Sequence, residues 1–160
     1  MISKDIDGNE YEVTAGDLTW RPAAYGIVIH DGKILLTKEG GKFHLPGGAV
    51  ELREDPEETV VREIKEETGI LVADPKLVDM NSSFFTWQES EQPPNFTHVQ
   101  SLMLYYHCNY VGGTLGDVEL DEYETLAGLT AEWIEVAKLP EIAVGTTVDW
   151  RLIVSHLRSA

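Results

Sequence analysis

Residues 55–69 constrain the fold more tightly than any other stretch of this sequence. Asp55 suits a helix N-cap, Pro56 takes the first helical position, Glu58 closes a capping box, and Gly69 stands just past the end. This punctuation predicts a helix over 56–68. At 100° per residue, Val60, Val61, Ile64 and Thr68 share one arc, which is a core-facing stripe. Glu63 and Glu67 lie on the adjoining flank and Glu66 on its next row, so three carboxylates crowd one side of a single turn. Like charges at that spacing destabilise a helix by roughly 0.2–0.5 kcal/mol a pair. Asp55, Glu57 and Glu58 gain from the helix dipole, but Glu66 and Glu67 sit against the negative C-terminal end. Two readings follow: a solvated acidic face, or a bound cation. Hard oxygen donors suit Mg²⁺, with Mn²⁺ as a substitute, rather than zinc.

The rest of the chain supplies a sheet for this helix. Asp31-Gly32 predicts a tight hairpin between strands 25–29 and 34–37, because a type I′ turn takes positive φ at both central residues. A shorter hairpin is expected between 2–6 and 11–14. Phe43-His44-Leu45 is a short apolar piece halted by Pro46-Gly47-Gly48. Strands are expected at 83–87 and 99–108, separated by the polar stretch 88–97, and at 132–136, where apolar and polar residues alternate. A second helix is expected over 147–158, with Trp150, Ile153, Val154 and Leu157 on one face. The pattern implies one domain over residues 1–160, of α+β (α/β) class, with helices on a mixed sheet.

Charge and cysteine usage bound the partners. The chain has 28 acidic and 12 basic residues and a net charge of −16, which repels long nucleic acid and anionic membranes. One cysteine, Cys108, forms no intrachain disulfide; together with a first segment unlike a secretory signal, this suggests the cytoplasm. No apolar run approaches the roughly 20 residues of a membrane span. A homodimer is admissible on the sequence.

The residues before the helix complete a pattern. Gly48, five residues, Glu54, seven residues, then Arg62-Glu63-Ile64-Lys65-Glu66-Glu67-Thr68-Gly69-Ile70 matches every fixed position of the box G-x5-E-x7-R-E-U-x-E-E-x-G-U, with U aliphatic. Nine such constraints arise by chance on the order of 10⁻¹⁰ per starting point. The chain therefore resembles the Nudix hydrolases, with the box at 48–70. The resemblance implies an α/β/α sandwich and Mg²⁺-dependent hydrolysis of a nucleoside diphosphate linked to another group. It implies that Glu63, Glu66 and Glu67 ligate metal, with the Gly47 carbonyl a further ligand. Arg62 and Glu54 would hold the carboxylates in orientation, Gly48 would permit the loop, and Gly69 would end the helix.

The resemblance also implies a general base. In much of the family it is an acidic residue on a loop before the strand that corresponds to 132–134; here that loop holds Glu119, Asp121, Glu122 and Glu124, of which Glu122 and Glu124 are nearest the strand. Glu63 or Glu66 takes the role in some members. Arg21 and Lys38 are candidates for binding the phosphates of a small nucleotide-like substrate. Phe84, Phe85, Trp87, Tyr105 and Tyr106 could stack on a base, although strand aromatics belong more often to the core. The five histidines show no metal-ligand spacing. The proline that marks the ADP-ribose hydrolases is not found here, and the distance of Cys108 from the box argues against the cysteine chemistry of the isomerase branch without excluding it. A nucleotide-sensing module that binds without cleaving is the alternative; an intact set of box carboxylates argues against it.

Overall fold

The computed structural model describes residues 1–5, 8–88, 96–145 and, beyond them, Thr147, Val148, Arg151 and Ile153. Nine strands run in chain order: β1 (Ile2–Lys4), β2 (Glu10–Glu12), β3 (Leu18–His30), β4 (Lys33–Glu39), β5 (Lys42–His44), β6 (Gly47–Ala49), β7 (Ile70–Gln88), β8 (Phe96–Gly113) and β9 (Thr130–Glu135). Among the described residues, the α-helices α1 (Pro56–Thr68) and α2 (Glu122–Ala127) accompany them.

The predicted hairpins form. β1 pairs antiparallel with β2. β3 and β4 join through Asp31 (φ 48°) and Gly32 (φ 72°), with His30 opposite Lys33. The main sheet runs β5-β4-β3-β8-β7, with β6 on β3 and β9 on β4. It is mixed: β3 and β8 are parallel from Leu18↔His98 to Val28↔Cys108, while β7 and β8 are antiparallel.

α1 is bounded as the sequence predicts. Glu58 Oε2 accepts the Asp55 N–H at 3.1 Å, and Gly69, at φ 76°, donates its N–H to the Lys65 carbonyl. Val60 and Ile64 are fully buried and pack with Ala24, Val28, Leu35 and Tyr106 between helix and sheet. A second core on the other face joins Ile27, Leu36, Leu45, Tyr105, Leu139 and Ile153. Of the helix expected over 147–158, Arg151 and Ile153 are helical, while Thr147 lies in a turn and Val148 in irregular chain, so the helix does not begin at 147; its other residues lie outside the described ones.

Three further expectations need correction. Pro46-Gly47-Gly48 does not simply halt a strand: Gly47–Ala49 is β6, with Gly48 opposite Ala24 and Gly47 opposite Tyr25. β7 begins at Ile70 rather than at residue 83, and three register shifts between Leu71 and Asp79 break the alternation that would reveal it. The acidic stretch before β9 contains a helix, α2, where a loop was expected.

β6 is what positions the site. β3 and β4 pair only at their hairpin end (Ile29↔Ile34 and His30↔Lys33), and β6 pairs with β3 further back, at Ala23–Tyr25. The two glycines thereby lie directly beside the carboxylate flank of α1.

Candidate active site

Arg62 is the hub of the outer half of the site. Its Nε and Nη2 donate to the two oxygens of Glu54 at 2.7 and 2.9 Å, a bidentate pair. Its Nη1 donates to Glu63 Oε1 and to Glu66 Oε2, both at 2.9 Å. Thr59 Oγ1 adds a bond to Glu54 Oε2 at 2.7 Å. The Arg62 guanidinium holds the Glu54 carboxyl well below its usual range, at about 2.

The inner half lacks such a cation. Glu67 is 6% exposed, and its Oε2 accepts the Gly47 N–H at 2.9 Å. Burial pushes its carboxyl well above the ordinary range, with Glu63 and Glu124 adding in the same direction. Glu63 and Glu124 are also raised, burial first in each case. Carboxylate oxygens of Glu63, Glu67 and Glu124 lie within 4.8 Å of one another. Among the described residues, Glu67 and Glu124 have no ion-pair partner.

The glycines admit this arrangement. A Cβ on Gly48 would stand 2.5 Å from Glu63 Oε1, so only glycine lets the strand pass so close to the carboxylate. At φ 147°, Gly47 takes a conformation that L side chains rarely adopt, and a Cβ there would strike Ala24.

The structure sorts the remaining sequence candidates. Glu66 sits with Arg62 and outside the three-carboxylate group. Glu122 is exposed and also outside it, whereas Glu124 joins it from α2. Arg21 lies over the Trp87 ring, 5.8 Å from its centroid, and the Lys38 ammonium is 4.9 Å from the Phe43 centroid. Tyr105 and Tyr106 are core residues, while Phe84 and Trp87 are exposed. Cys108 is buried and its thiol is pushed up to about 12, which makes it a poor nucleophile.

A pocket of about 140 Å³ adjoins the group, lined by Tyr25, Glu39, His44, Gly47, Glu67 and Leu129 among others. Sequence reasoning missed Tyr25 and Glu39, whose spacing from the box carries no local signal. A larger groove, about 580 Å³, flanks α1 on the side of Leu71 and Pro75. Of its carboxylates, Glu57 and Glu58 belong to the first helical turn, where the dipole accounts for them, and Glu66 is paired with Arg62, which also lines the groove.

The donor set is a test of the implied metal. The group offers carboxylate oxygens alone, without thiol or imidazole, which is the chemistry of Mg²⁺. Two of its three carboxylates, Glu67 and Glu124, have no ion-pair partner among the described residues, which leaves room for a cation. The residues fit the ion.

A mixed sheet with a capped, carboxylate-bearing helix laid against a glycine strand defines an α+β protein built around an acidic centre. The NUDIX domain model matches residues 20–153, and the chain belongs to the NUDIX family. It is 38% identical over 128 residues to an ADP-ribose pyrophosphatase of Methanocaldococcus jannaschii, covering 76% of this chain and 65% of that protein. It is 33% identical over 136 residues to the NAD-capped RNA hydrolase NudC of Vibrio atlanticus, covering 82% of this chain and 44% of that one. The chain thus spans less than two thirds of either relative. Among solved structures, the mutator MutT protein of Bacillus halodurans superposes with a TM-score of 0.63 at 23% identity, over 82% of this chain and 79% of that one. A NUDIX hydrolase of Nitrosomonas europaea gives 0.62 at 19% identity, over 88% and 90%. These likenesses bear on the fold. Among the described residues, no helix is long and apolar enough to cross a membrane.

Proposed function

We propose that this chain is a Mg²⁺-dependent pyrophosphohydrolase, one domain over 1–160, which cleaves a nucleoside diphosphate linked to another group. The observation that carries the reading is the meeting of Glu63, Glu67 and Glu124, three partly or fully buried carboxylates of which only Glu63 has an ion-pair partner among the described residues. A sensing module would gain nothing from holding these groups together.

Glu63 and Glu67 would hold the metal, with Glu66 and the Gly47 carbonyl as further donors from the box. Bound Mg²⁺ supplies neutralisation of phosphate charge and lowers the pKa of an attacking water. Glu124 is the favoured base over Glu122, because it reaches the group and burial raises its carboxyl above an ordinary glutamate. Its carboxylate accepts the proton of water as the water oxygen bonds to phosphorus and the anhydride P–O bond breaks. Arg62 and Glu54 keep Glu63 and Glu66 in place. Arg21 and Lys38 are assigned to phosphate or the distal group of the substrate.

The substrate is a small nucleotide rather than long nucleic acid, since a −16 surface repels a polyanion away from the metal. The name of the archaeal relative makes ADP-ribose the first compound to try. We place the protein in the cytoplasm on its single buried thiol. Ultracentrifugation would separate a monomer from a homodimer.

The test is product release from ADP-ribose, NAD⁺, sugar nucleotides and nucleoside triphosphates with Mg²⁺. Cleavage of at least one, abolished by chelator, is expected. Tight nucleotide binding with no turnover on the whole panel would instead favour the sensing module.

A further inference from the structure

α2 is a weakly anchored element in a demanding place. It is six residues long and none of them is buried, so core packing does not hold it. Hydrogen bonds do. Asp121 Oδ1 accepts the Glu124 N–H, and Glu124 Oε2 accepts the Asp121 N–H, each at 2.8 Å. Thr125 Oγ1 donates to the Asp121 carbonyl at 2.7 Å. A second attachment runs to the sheet, where the Tyr123 hydroxyl donates to Glu39 Oε1 at 3.0 Å. Glu39 is the last residue of β4 and lines the same pocket as Glu67.

In an ordinary capping box the third-position glutamate only satisfies an orphan N–H at the helix start. Here that carboxylate is also the one that stands within 4.8 Å of Glu63 and Glu67. Asp121, Glu66 and Glu39 all repel it electrostatically, and a free glutamate side chain would swing toward solvent to escape them. The bond from the Asp121 N–H opposes that swing. The bond from Tyr123 keeps the whole helix near the group.

We propose that Asp121 and Tyr123 are positioning residues of the hydrolytic site: the Asp121 carboxylate caps the Glu124 N–H and so holds the helix start from which the residue-121 N–H binds the Glu124 carboxylate, and Tyr123 docks that helix onto Glu39. The proposal rests on the reading of Glu124 as part of the active site. It explains why an exposed six-residue helix carries a complete set of end caps, including Gly128 at φ 68°.

Both residues are exposed, so their variants are expected to fold. The experiment compares Asp121→Ala, Asp121→Asn and Tyr123→Phe with the unchanged chain. The readings are Mn²⁺ affinity by calorimetry, kcat and KM for ADP-ribose with Mg²⁺, and Tm. For Asp121→Ala, kcat should fall about tenfold, with KM and Tm nearly unchanged. Asp121→Asn keeps an N-cap acceptor and should recover most of the loss. Tyr123→Phe should lower kcat about threefold. In a Glu124→Gln background, Asp121→Ala should add no further loss, because its effect passes through that carboxylate.

Asp121→Ala that changes neither kcat nor Mn²⁺ affinity overturns the proposal alone. So does an equal loss in both backgrounds. An unchanged chain that binds no Mn²⁺ overturns the reading of the site, and this proposal with it.

Discussion

Glu67 shows what a single residue in this site costs and contributes. Its carboxylate is 6% exposed, its Oε2 accepts the Gly47 N–H, and burial drives it toward the neutral form. A buried charge without a partner destabilises a fold by a few kcal/mol, and nothing else in the inner half of the site relieves it. The neighbouring Arg62 spends its donors on Glu54, Glu63 and Glu66. Glu67→Gln keeps the size of the side chain and a carbonyl oxygen for the Gly47 N–H while removing the charge. In chelator it should raise stability by about 1–3 kcal/mol, which is roughly 3–10 °C in Tm for a domain of this size. With Mg²⁺ the order should reverse, because the unchanged protein gains stability from the ion and the variant gains far less. Turnover should drop by at least about a hundredfold. Melting curves in the two buffers, beside an activity assay, check both halves. A variant less stable than the parent in chelator would show that the Glu67 charge is already compensated.

Among the elements, β6 and α1 make the site together. Gly48 faces Glu63 so closely that a methyl group must displace the carboxylate or the strand. Gly48→Ala should therefore leave a folded protein whose turnover falls about a hundredfold, the usual effect of moving a catalytic group by an ångström. Circular dichroism and kinetics on the same preparation check this, and full activity would mean that Glu63 has room to move. α1 was legible because every determinant is local: N-cap, Pro56, stripe and Gly69 all fall within one window. The β3–β4 hairpin was legible for the same reason. β6 was not, since glycines argue against a strand, yet here the missing side chains are what admit it between β3 and Glu63. The first half of β7 was hidden by its register shifts and by Asp74-Pro75. α2 carried a readable signal, Asp121 and Glu124 in a box with Gly128 after them, but it has no apolar stripe and looked like an acidic loop. Of the site, the box carboxylates were readable from spacing. That Glu124, and not Glu122, reaches Glu63 and Glu67 depends on α2 and on the β4–β9 pairing, neither of which follows from local pattern.

For the whole molecule, the two halves of the site pull its stability in opposite directions with pH. Glu63 and Glu67 have folded-state pKa values above the ordinary 4.5 of a glutamate. Between 4.5 and those raised values the folded chain binds more protons than the unfolded one, so stability falls as pH rises through that interval. Glu54 behaves in the reverse sense. Its folded pKa of about 2 means that its bond to Arg62 contributes fully above 4.5 and is lost as pH falls from there toward 2. Metal-free protein should therefore be most stable near pH 4.5, below the neutral optimum expected with Mg²⁺ bound. Protons compete with the ion for the same oxygens, so saturating Mg²⁺ should move the maximum upward in pH. Self-repulsion in a chain of net charge −16 also eases on acidification and pushes the metal-free curve the same way. The Glu67→Gln chain separates the two causes, because it removes the local group and alters the global charge by only one. Urea titrations from pH 3 to 8 in chelator should show the variant losing less stability than the parent as pH rises from 4.5 to neutrality. Parallel curves would assign the acid optimum to overall charge and remove Glu67 as its source.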